Sequence, residues 1–212
     1  LVAESLGKDG VGLVPVVGEV PGPPKVYGAD RTFVDLGVTG TARSIGRAVV
    51  VAEVATALAG AFIGVHPFDQ PDVAAAKHAT NAVLTNKDSR VPPTRLRDLL
   101  RSVEPGHHVA LQAFVDPGSF RATQLEEVRL ALRDELRVAV TLGFGPRFLH
   151  STGQLHKGGP SNIVCIQVLD DDAPEIPIPG RELGFGQLLA AQAAGDLKVL
   201  TDRGRVAGRV DL

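Results

Sequence analysis

The chain of 212 residues has no methionine and no tryptophan, and it contains a single cysteine and a single tyrosine. One cysteine excludes an intrachain disulfide and a cysteine-based zinc cluster. Cys165 lies within an apolar run, so we expect a buried and unreactive thiol. A reduced lone cysteine is typical of the cytosol, and the usage therefore favours a cytoplasmic protein.

The chain also lacks an excess of charge of either sign. Its formal net charge is -2, and lysine and arginine are spread along the sequence. This distribution argues against nucleic acid or a membrane surface as a partner. We see no signal peptide and no apolar run near the roughly 18–20 residues that a membrane span needs. The first residue is Leu1 rather than Met, and we expect a fragment of a longer polypeptide.

The first part of the chain predicts a mixture of short strands and helices. Residues 12–17 and 32–36 have the apolar character of strands. Residues 47–63 are rich in Ala and Val with few charges, which predicts a helix buried on most sides. Pro71 opens a further helix over residues 72–84. Residues 86–94 carry two prolines and small polar residues, and they form the predicted linker.

The pattern changes after this linker. It predicts strands over residues 108–115, 138–142, 163–169 and 206–212, and helices over residues 119–136 and 185–200. The order is βαβ followed by βαβ, which is the split pattern of a ferredoxin-like α+β sandwich.

The segment at residues 68–77 reads Phe-Asp-Gln-Pro-Asp-Val-Ala-Ala-Ala-Lys. Gln70 at the start of the predicted helix and Lys77 seven residues later are about two helical turns apart. Both side chains could therefore point into one cleft. By sequence chemistry alone, the alternative is a capped surface helix with a solvated lysine.

This segment resembles the second signature of phosphoglucose isomerases, and it is most similar to the isomerases fused behind a transaldolase. The resemblance implies that Lys77 acts on the oxygens of the sugar and that Gln70 lines the same site. Pro71, Asp72 and Ala74 depart from most isomerases. Pro-Asp is, however, what the fused branch has at the first two of these positions.

The stretch at residues 3–10, Ala-Glu-Ser-Leu-Gly-Lys-Asp-Gly, resembles the segment that holds the family's catalytic base. The resemblance implies that Glu4 moves the proton between C2 and C1 of the open-chain sugar. A base of this kind works best when its pKa is close to the working pH. The alternative for Glu4 is a solvated carboxylate at the end of a helix.

Residues 148–160 crowd two histidines, a serine, a threonine, a glutamine and a lysine into a glycine-rich loop. The resemblance implies that His150 assists ring opening, a role suited to a pKa near neutrality. Ser151, Gln154 and His156 are the further predicted substrate contacts. Each histidine could instead be structural. The two histidines lack a third ligand for a metal, and the isomerase reaction implied by the resemblance needs neither metal nor cofactor.

The resemblance implies an α/β fold in two parts. Residues 1–90 would be most of the second SIS (sugar-isomerase) domain, a three-layer parallel-sheet unit, and residues 91–212 would be a smaller α+β, ferredoxin-like subdomain that carries His150. The expected activity is the interconversion of glucose 6-phosphate and fructose 6-phosphate. The phosphate-binding loops belong to a first SIS domain, which this sequence lacks, so we expect the chain alone to be inactive.

Other partners and functions stay open at this point. The resemblance leaves room for a transaldolase domain in the same polypeptide and for a homo-oligomer. The main alternative function is a non-catalytic, sugar-phosphate-binding regulatory module. A binding module needs no general base, so the combination of Glu4, Lys77 and His150 argues for an enzyme. A purely structural fragment is the third reading, which the crowded His150 loop disfavours.

Overall fold

The computed structural model describes residues 1–86, 91–170 and 175–211. The helices of this part of the chain are α1 (Val2–Leu6), α2 (Ala42–Ile63), α3 (Pro71–Asn86), α4 (Leu96–Leu100), α5 (Phe120–Leu136), α6 (Gly153–Gly158) and α7 (Phe185–Asp202). The strands are β1 (His108–Phe114), β2 (Ala139–Phe144), β3 (Ile163–Leu169) and β4 (Val206–Val210). Single 3₁₀ turns lie at Pro24–Val26 and Arg147–His150.

The four strands form one sheet in the order β2-β1-β3-β4, and every pair is parallel. Every residue of β1 is buried, as expected for a strand that is covered on both faces. Parallel neighbours need crossover connections, which here contain α5, α6 and α7. The predicted α/β class is confirmed. The predicted location of the parallel sheet in residues 1–90 is wrong, because all four strands lie after residue 107 and the described residues 1–86 contribute none of them.

Helices cover both faces of the sheet and make three layers. On one face, α4 and α5 pack against an aliphatic cluster that includes Leu99, Val109 and Ile166. On the other face, Leu200 of α7 packs against Ala110 and Cys165. Outside this layer, α3 lies against α7 and α1 lies against α6. The outer helices α1 and α3 are the elements that matter for the site.

The predicted ferredoxin-like arrangement of residues 91–212 is wrong, because a ferredoxin-like sheet is antiparallel and all pairs here are parallel. Apolar periodicity identifies a strand but carries no information about its direction. The predicted strands at residues 12–17 and 32–36 are also wrong, since neither belongs to a strand. Part of the predicted linker, residues 87–90, lies outside the described residues, and the division near residue 90 stays a prediction.

Helix α2 differs most from its prediction. Its buried residues are Ala48, Thr56 and Gly60, and most of its aliphatic side chains are exposed. The expected burial on most sides is therefore wrong. The expectation that no segment reaches spanning length also fails, because α2 is long and apolar enough to cross a membrane by length and composition alone. A capping threonine, Thr41, begins the helix, and Gly64 ends it in the left-handed conformation.

Candidate functional site

A cavity of about 650 Å³ opens between α1, α3 and the 3₁₀ turn at Arg147–His150. Four predicted site residues line it: Glu4, Gln70, Lys77 and His150. The rest of its wall consists of Leu1, Ser5, Val73 and Ala74. The volume lies within the range of ordinary small-molecule sites. Three segments that are distant in the sequence thus bring a carboxylate, an ammonium group, an amide and an imidazole to one space.

Helix α3 supplies one wall of the cavity. Val73 and Ala74 lie four and three residues before Lys77, so both share a helix face with it. Gln70 lies immediately before the helix, which begins at Pro71. The predicted spacing of Gln70 and Lys77 thus places both residues at the same cavity.

Glu4 lies in the first turn of the short helix α1 and is partly exposed. The neighbouring Ala3 and Leu6 are buried and anchor this helix. A Cβ atom at Gly7 would lie 2.3 Å from the Cα atom of Leu155 in α6. Only glycine permits this approach, so Gly7 determines how closely the segment carrying Glu4 packs against α6.

Lys8 connects the Glu4 segment to the Gln70 turn. Its side chain is 3% exposed, and Nζ donates to the carbonyl oxygen of His66 at 2.7 Å and to Asp69 Oδ1 at 2.9 Å. It also donates to the carbonyl oxygen of Asp69. The hydrogen bond from Lys8 lowers the pKa of the Asp69 carboxyl group. A single buried ammonium group therefore joins the two halves of the cavity wall.

Gln154 is fully buried and does not line the cavity. Its Nε2 donates to Asp72 Oδ2 at 2.5 Å and to the carbonyl oxygen of Gly7 at 3.1 Å, while its Oε1 accepts from the Asp72 amide at 3.0 Å. Asp72 also forms an ion pair with Arg203. The predicted direct contact between Gln154 and a substrate is incompatible with this burial, because every polar atom of its amide holds α1 and α3 in place.

His156 is also buried, with 3% exposure, and it does not line the cavity. Its Nδ1 accepts from Gln112 Nε2 at 3.0 Å. Burial, aided by the nearby His108 and Lys157, holds the pKa of His156 well below its ordinary value. The predicted substrate contact by His156 is therefore incompatible with its position, and this residue is a neutral part of the interior.

His150 is exposed at the end of the 3₁₀ turn and reaches the cavity. Phe148 anchors this turn, because it is buried and its ring lies edge-on to that of Phe114 at a centroid distance of 5.4 Å. This region was predicted to be a glycine-rich loop, whereas it forms the 3₁₀ turn followed by α6. His150 is exposed, whereas His156 is buried.

Ser151 is exposed and lines a second cavity of about 330 Å³ instead of the first one. It therefore does not share the space occupied by Glu4, Lys77 and His150. Within the described residues, no group of three or more His, Cys, Asp or Glu side chains is placed to hold a metal ion.

Several polar residues that organise this region were missed by the sequence reasoning. Lys8 and Asp72 are both almost fully buried, although their types predict solvent exposure. Lys157 is buried as well and pairs with the buried Asp196 at 2.5 Å. Burial raises the pKa of the Asp196 carboxyl group, and the Lys157 ammonium group opposes that effect. The only available signal for Lys8 was its place directly after Gly7 within a recognisable motif.

No protein family matches this chain, and searches of the curated proteins and of the solved structures find no match either. The chemistry of the site therefore rests on its own residues. A carboxylate can transfer a proton, an ammonium group and an imidazole can donate to ligand oxygens, and an amide can orient hydroxyl groups. This combination suits a small polyhydroxylated ligand.

Proposed function

We propose that this chain carries part of the active site of an aldose–ketose isomerase that interconverts glucose 6-phosphate and fructose 6-phosphate. The observation that carries the proposal is the meeting of Glu4, Gln70, Lys77 and His150 around one cavity. These are the four residues to which the resemblance assigns base, positioning and oxygen-binding roles. Glu4 and His150 are far from Gln70 and Lys77 in the sequence, and the tertiary structure brings all four to one cavity.

In this proposal, Glu4 removes the proton from C2 of the open-chain sugar and returns it to C1 through an enediol. Lys77 and His150 donate hydrogen bonds to the ring and carbonyl oxygens, so that the ring opens and negative charge is stabilised as it develops. Gln70 orients the sugar hydroxyls. The buried connections made by Lys8 and Gln154 keep these groups in a constant relation, which is what proximity catalysis requires. The reaction needs no cofactor.

The chain alone does not complete the proposed enzyme. We propose that a first SIS domain of the same polypeptide supplies the main binding site for the substrate's phosphate group and that it covers α2. The whole protein works in the cytoplasm in this proposal. The exposed aliphatic face of α2 supports this view, because an apolar surface of that length is usually covered by another protein surface. A transaldolase domain in the same polypeptide is the further partner that the resemblance suggests.

The test measures conversion of fructose 6-phosphate by this chain joined to a first SIS domain. Glu4→Gln is isosteric and removes the base, so kcat should fall about 100- to 10,000-fold. The matched control is Glu135→Gln, because Glu135 is exposed on α5 and does not line the cavity. Binding of fructose 6-phosphate should survive both substitutions.

Unchanged turnover in the Glu4→Gln variant would refute the role of Glu4. If the unsubstituted protein binds fructose 6-phosphate and gives no conversion, the regulatory binding module would replace the enzyme as the best account.

A further inference from the structure

The second cavity, of about 330 Å³, lies at the carboxyl end of β2. Its floor is formed by residues 141–144, and its rim is formed by Pro15, Val17 and the segment at residues 147–152. In parallel α/β sheets, ligands bind beyond the carboxyl ends of the strands. The place of this cavity in the fold is therefore that of a binding site, although none of the proposed isomerase groups lines it.

The polar side chains that line this cavity can all donate hydrogen bonds. Arg147 is exposed and, across the described residues, makes no hydrogen bond or ion pair. Thr141, Ser151 and Thr152, which carry hydroxyl groups, also line the space, and no Asp or Glu is among the lining residues. The serine and threonine hydroxyls lie 3.4 Å and 3.5 Å from the Phe148 carbonyl oxygen. Hydrogen bonds of that length are weak, so both hydroxyls can turn toward a ligand.

The second arginine of the cavity, Arg129, already has hydrogen-bond and ion-pair partners within the protein. It donates to the carbonyl oxygens of Val17 and Gly18 at 3.1 Å and forms an ion pair with Glu126. Its role is to hold the rim segment against α5. The uncompensated positive charge of the cavity is consequently that of Arg147.

We propose that this second cavity binds a phosphate group, with Arg147 as the charged donor and Thr141, Ser151 and Thr152 as hydroxyl donors. A guanidinium group matches two phosphate oxygens at once, and hydroxyl donors complete the set. The inference does not depend on the isomerase activity. It assigns to Ser151 a contact with a phosphate group.

Two sources can supply the phosphate group. One is inorganic phosphate that binds independently of the first cavity. The other is the phosphoryl group of a sugar phosphate whose carbon chain lies in the first cavity. The segment at residues 147–152 contributes His150 to the first cavity and Arg147, Ser151 and Thr152 to the second. The two cavities are therefore neighbours across a single backbone turn.

The experiment titrates the 212-residue chain with inorganic phosphate at low ionic strength and follows backbone amide shifts by NMR. The amide signals of Gly143, Ser151 and Thr152 should move in a saturable way. Arg147→Gln should weaken binding at least tenfold, and Ser151→Ala should weaken it less. The matched control is Arg43→Gln, since Arg43 is exposed at the start of α2 and lines neither cavity. Absent or unsaturable shifts, or equal affinity in the Arg147→Gln variant and the unsubstituted chain, would overturn the proposal.

A second titration with fructose 6-phosphate identifies the source. If the phosphoryl group of a bridging sugar phosphate is bound, Lys77→Met and Arg147→Gln will both weaken binding of fructose 6-phosphate, and Lys77→Met will leave inorganic phosphate unaffected. If the site takes phosphate alone, only Arg147→Gln will weaken either ligand. Either result supports a phosphate site at Arg147. Binding of fructose 6-phosphate that depends on Lys77 and ignores Arg147, with no saturable binding of inorganic phosphate, would place the phosphoryl group elsewhere and contradict the proposal.

Discussion

At the scale of single residues, the most informative side chains are buried polar ones whose types would suggest exposure. Lys8, Asp72 and Gln154 are each 3% exposed or less. Their hydrogen bonds run between segments that are far apart in the sequence, so they hold α1, α3 and α6 together. Burying a polar group costs free energy unless the group is fully hydrogen-bonded. The hydrogen bonds of these three side chains hold the elements in a fixed relative position.

The first prediction concerns Lys8. Lys8→Met keeps most of the side-chain volume and removes the charged donor, so the His66 and Asp69 carbonyl groups lose their partner. We expect the free energy of unfolding to fall by about 2 kcal/mol. Urea denaturation followed by circular dichroism measures this change.

The matched control for Lys8 is Lys198→Met. Lys198 is 63% exposed and pairs with Asp202 on the surface of α7. The free energy of unfolding should change by less than about 0.5 kcal/mol. Equal effects of the two substitutions would mean that the buried connection contributes nothing specific to stability.

The second prediction concerns pH. Burial, together with the nearby Arg31, lowers the pKa of His108 to about 4. Between pH 6.5 and 4, the unfolded chain therefore binds a proton at this position that the folded chain does not. The contribution of His108 to stability is fully present above pH 6.5 and is lost as the pH falls toward 4, by about 3 kcal/mol over the window.

His108→Leu removes this titration, so the slope of unfolding free energy against pH should be shallower in the variant between pH 6.5 and 4. Denaturant titrations at several pH values test it, with the exposed His78→Leu as the control that should keep the original slope. Parallel slopes for the His108→Leu variant and the unsubstituted chain would show that His108 titrates normally in the folded protein.

At the scale of elements, the contact between α3 and α7 depends on a glycine. A Cβ atom at Gly195 in α7 would lie 2.7 Å from the Thr80 amide nitrogen and 2.8 Å from its Oγ1. The Thr80 hydroxyl is engaged with the Ala76 carbonyl oxygen at 2.9 Å, and the amide belongs to the helix backbone. Neither atom can move aside without displacing α3, which carries Lys77 and directly follows Gln70.

The third prediction follows from this contact. Glycine to alanine normally stabilises a helix by about 0.5–1 kcal/mol. Gly195→Ala should instead destabilise the protein by about 1–3 kcal/mol, because α3 and α7 must separate. Thermal and urea unfolding of the variant measure the sign of the change.

Gly46→Ala is the control for the direction of this change in stability. Gly46 lies in α2, and a Cβ atom there would meet no atom within 4 Å. We expect the ordinary stabilisation by about 0.5–1 kcal/mol. Stabilisation by both substitutions would contradict the close packing of α3 and α7.

At the scale of the whole molecule, α2 stands out because its aliphatic face has no partner within the described part of the chain. Val51, Val54, Leu58 and Phe62 follow one another at helical spacing and are 52% to 86% exposed. A continuous apolar stripe of this kind usually marks an interaction surface. The remaining α/β layers already have helices on both faces, so α2 is not needed to cover the sheet.

The fourth prediction concerns this stripe. In isolation, the 212-residue chain should self-associate through α2, and Leu58→Lys should reduce the association measured by sedimentation equilibrium. The free energy of unfolding of the monomer should change by less than about 0.5 kcal/mol, because the side chain is exposed. Val128→Lys, on α5, is the control that should leave association unchanged.

A chain that stays monomeric at all concentrations would contradict the role of α2 as a protein-binding surface. Binding of the unsubstituted chain, but not of the Leu58→Lys variant, to neutral lipid vesicles would assign the stripe to a membrane instead.

Some parts of the fold were predictable from local pattern. The predicted helix at residues 119–136 corresponds to α5, and the predicted strand at residues 163–169 corresponds to β3. These segments carry a clear period of 3.6 or a continuous apolar run, and their flanking residues favour the observed ends. The burial of α2 could not be predicted, because an apolar composition does not say whether a partner surface is present.

For the site, the resemblance of three short motifs to those of phosphoglucose isomerases marked Glu4, Gln70, Lys77 and His150 as candidates, whereas residue type and spacing alone left solvated or structural side chains as alternatives. Only the tertiary structure decided that these four share a cavity and that Gln154 and His156 do not reach it. Burial and strand direction depend on contacts between distant segments, so local periodicity cannot predict either of them. The amino-acid sequence by itself therefore determined the chemistry available to this protein, and the packing of α1, α3 and α6 decided which of those groups can act together.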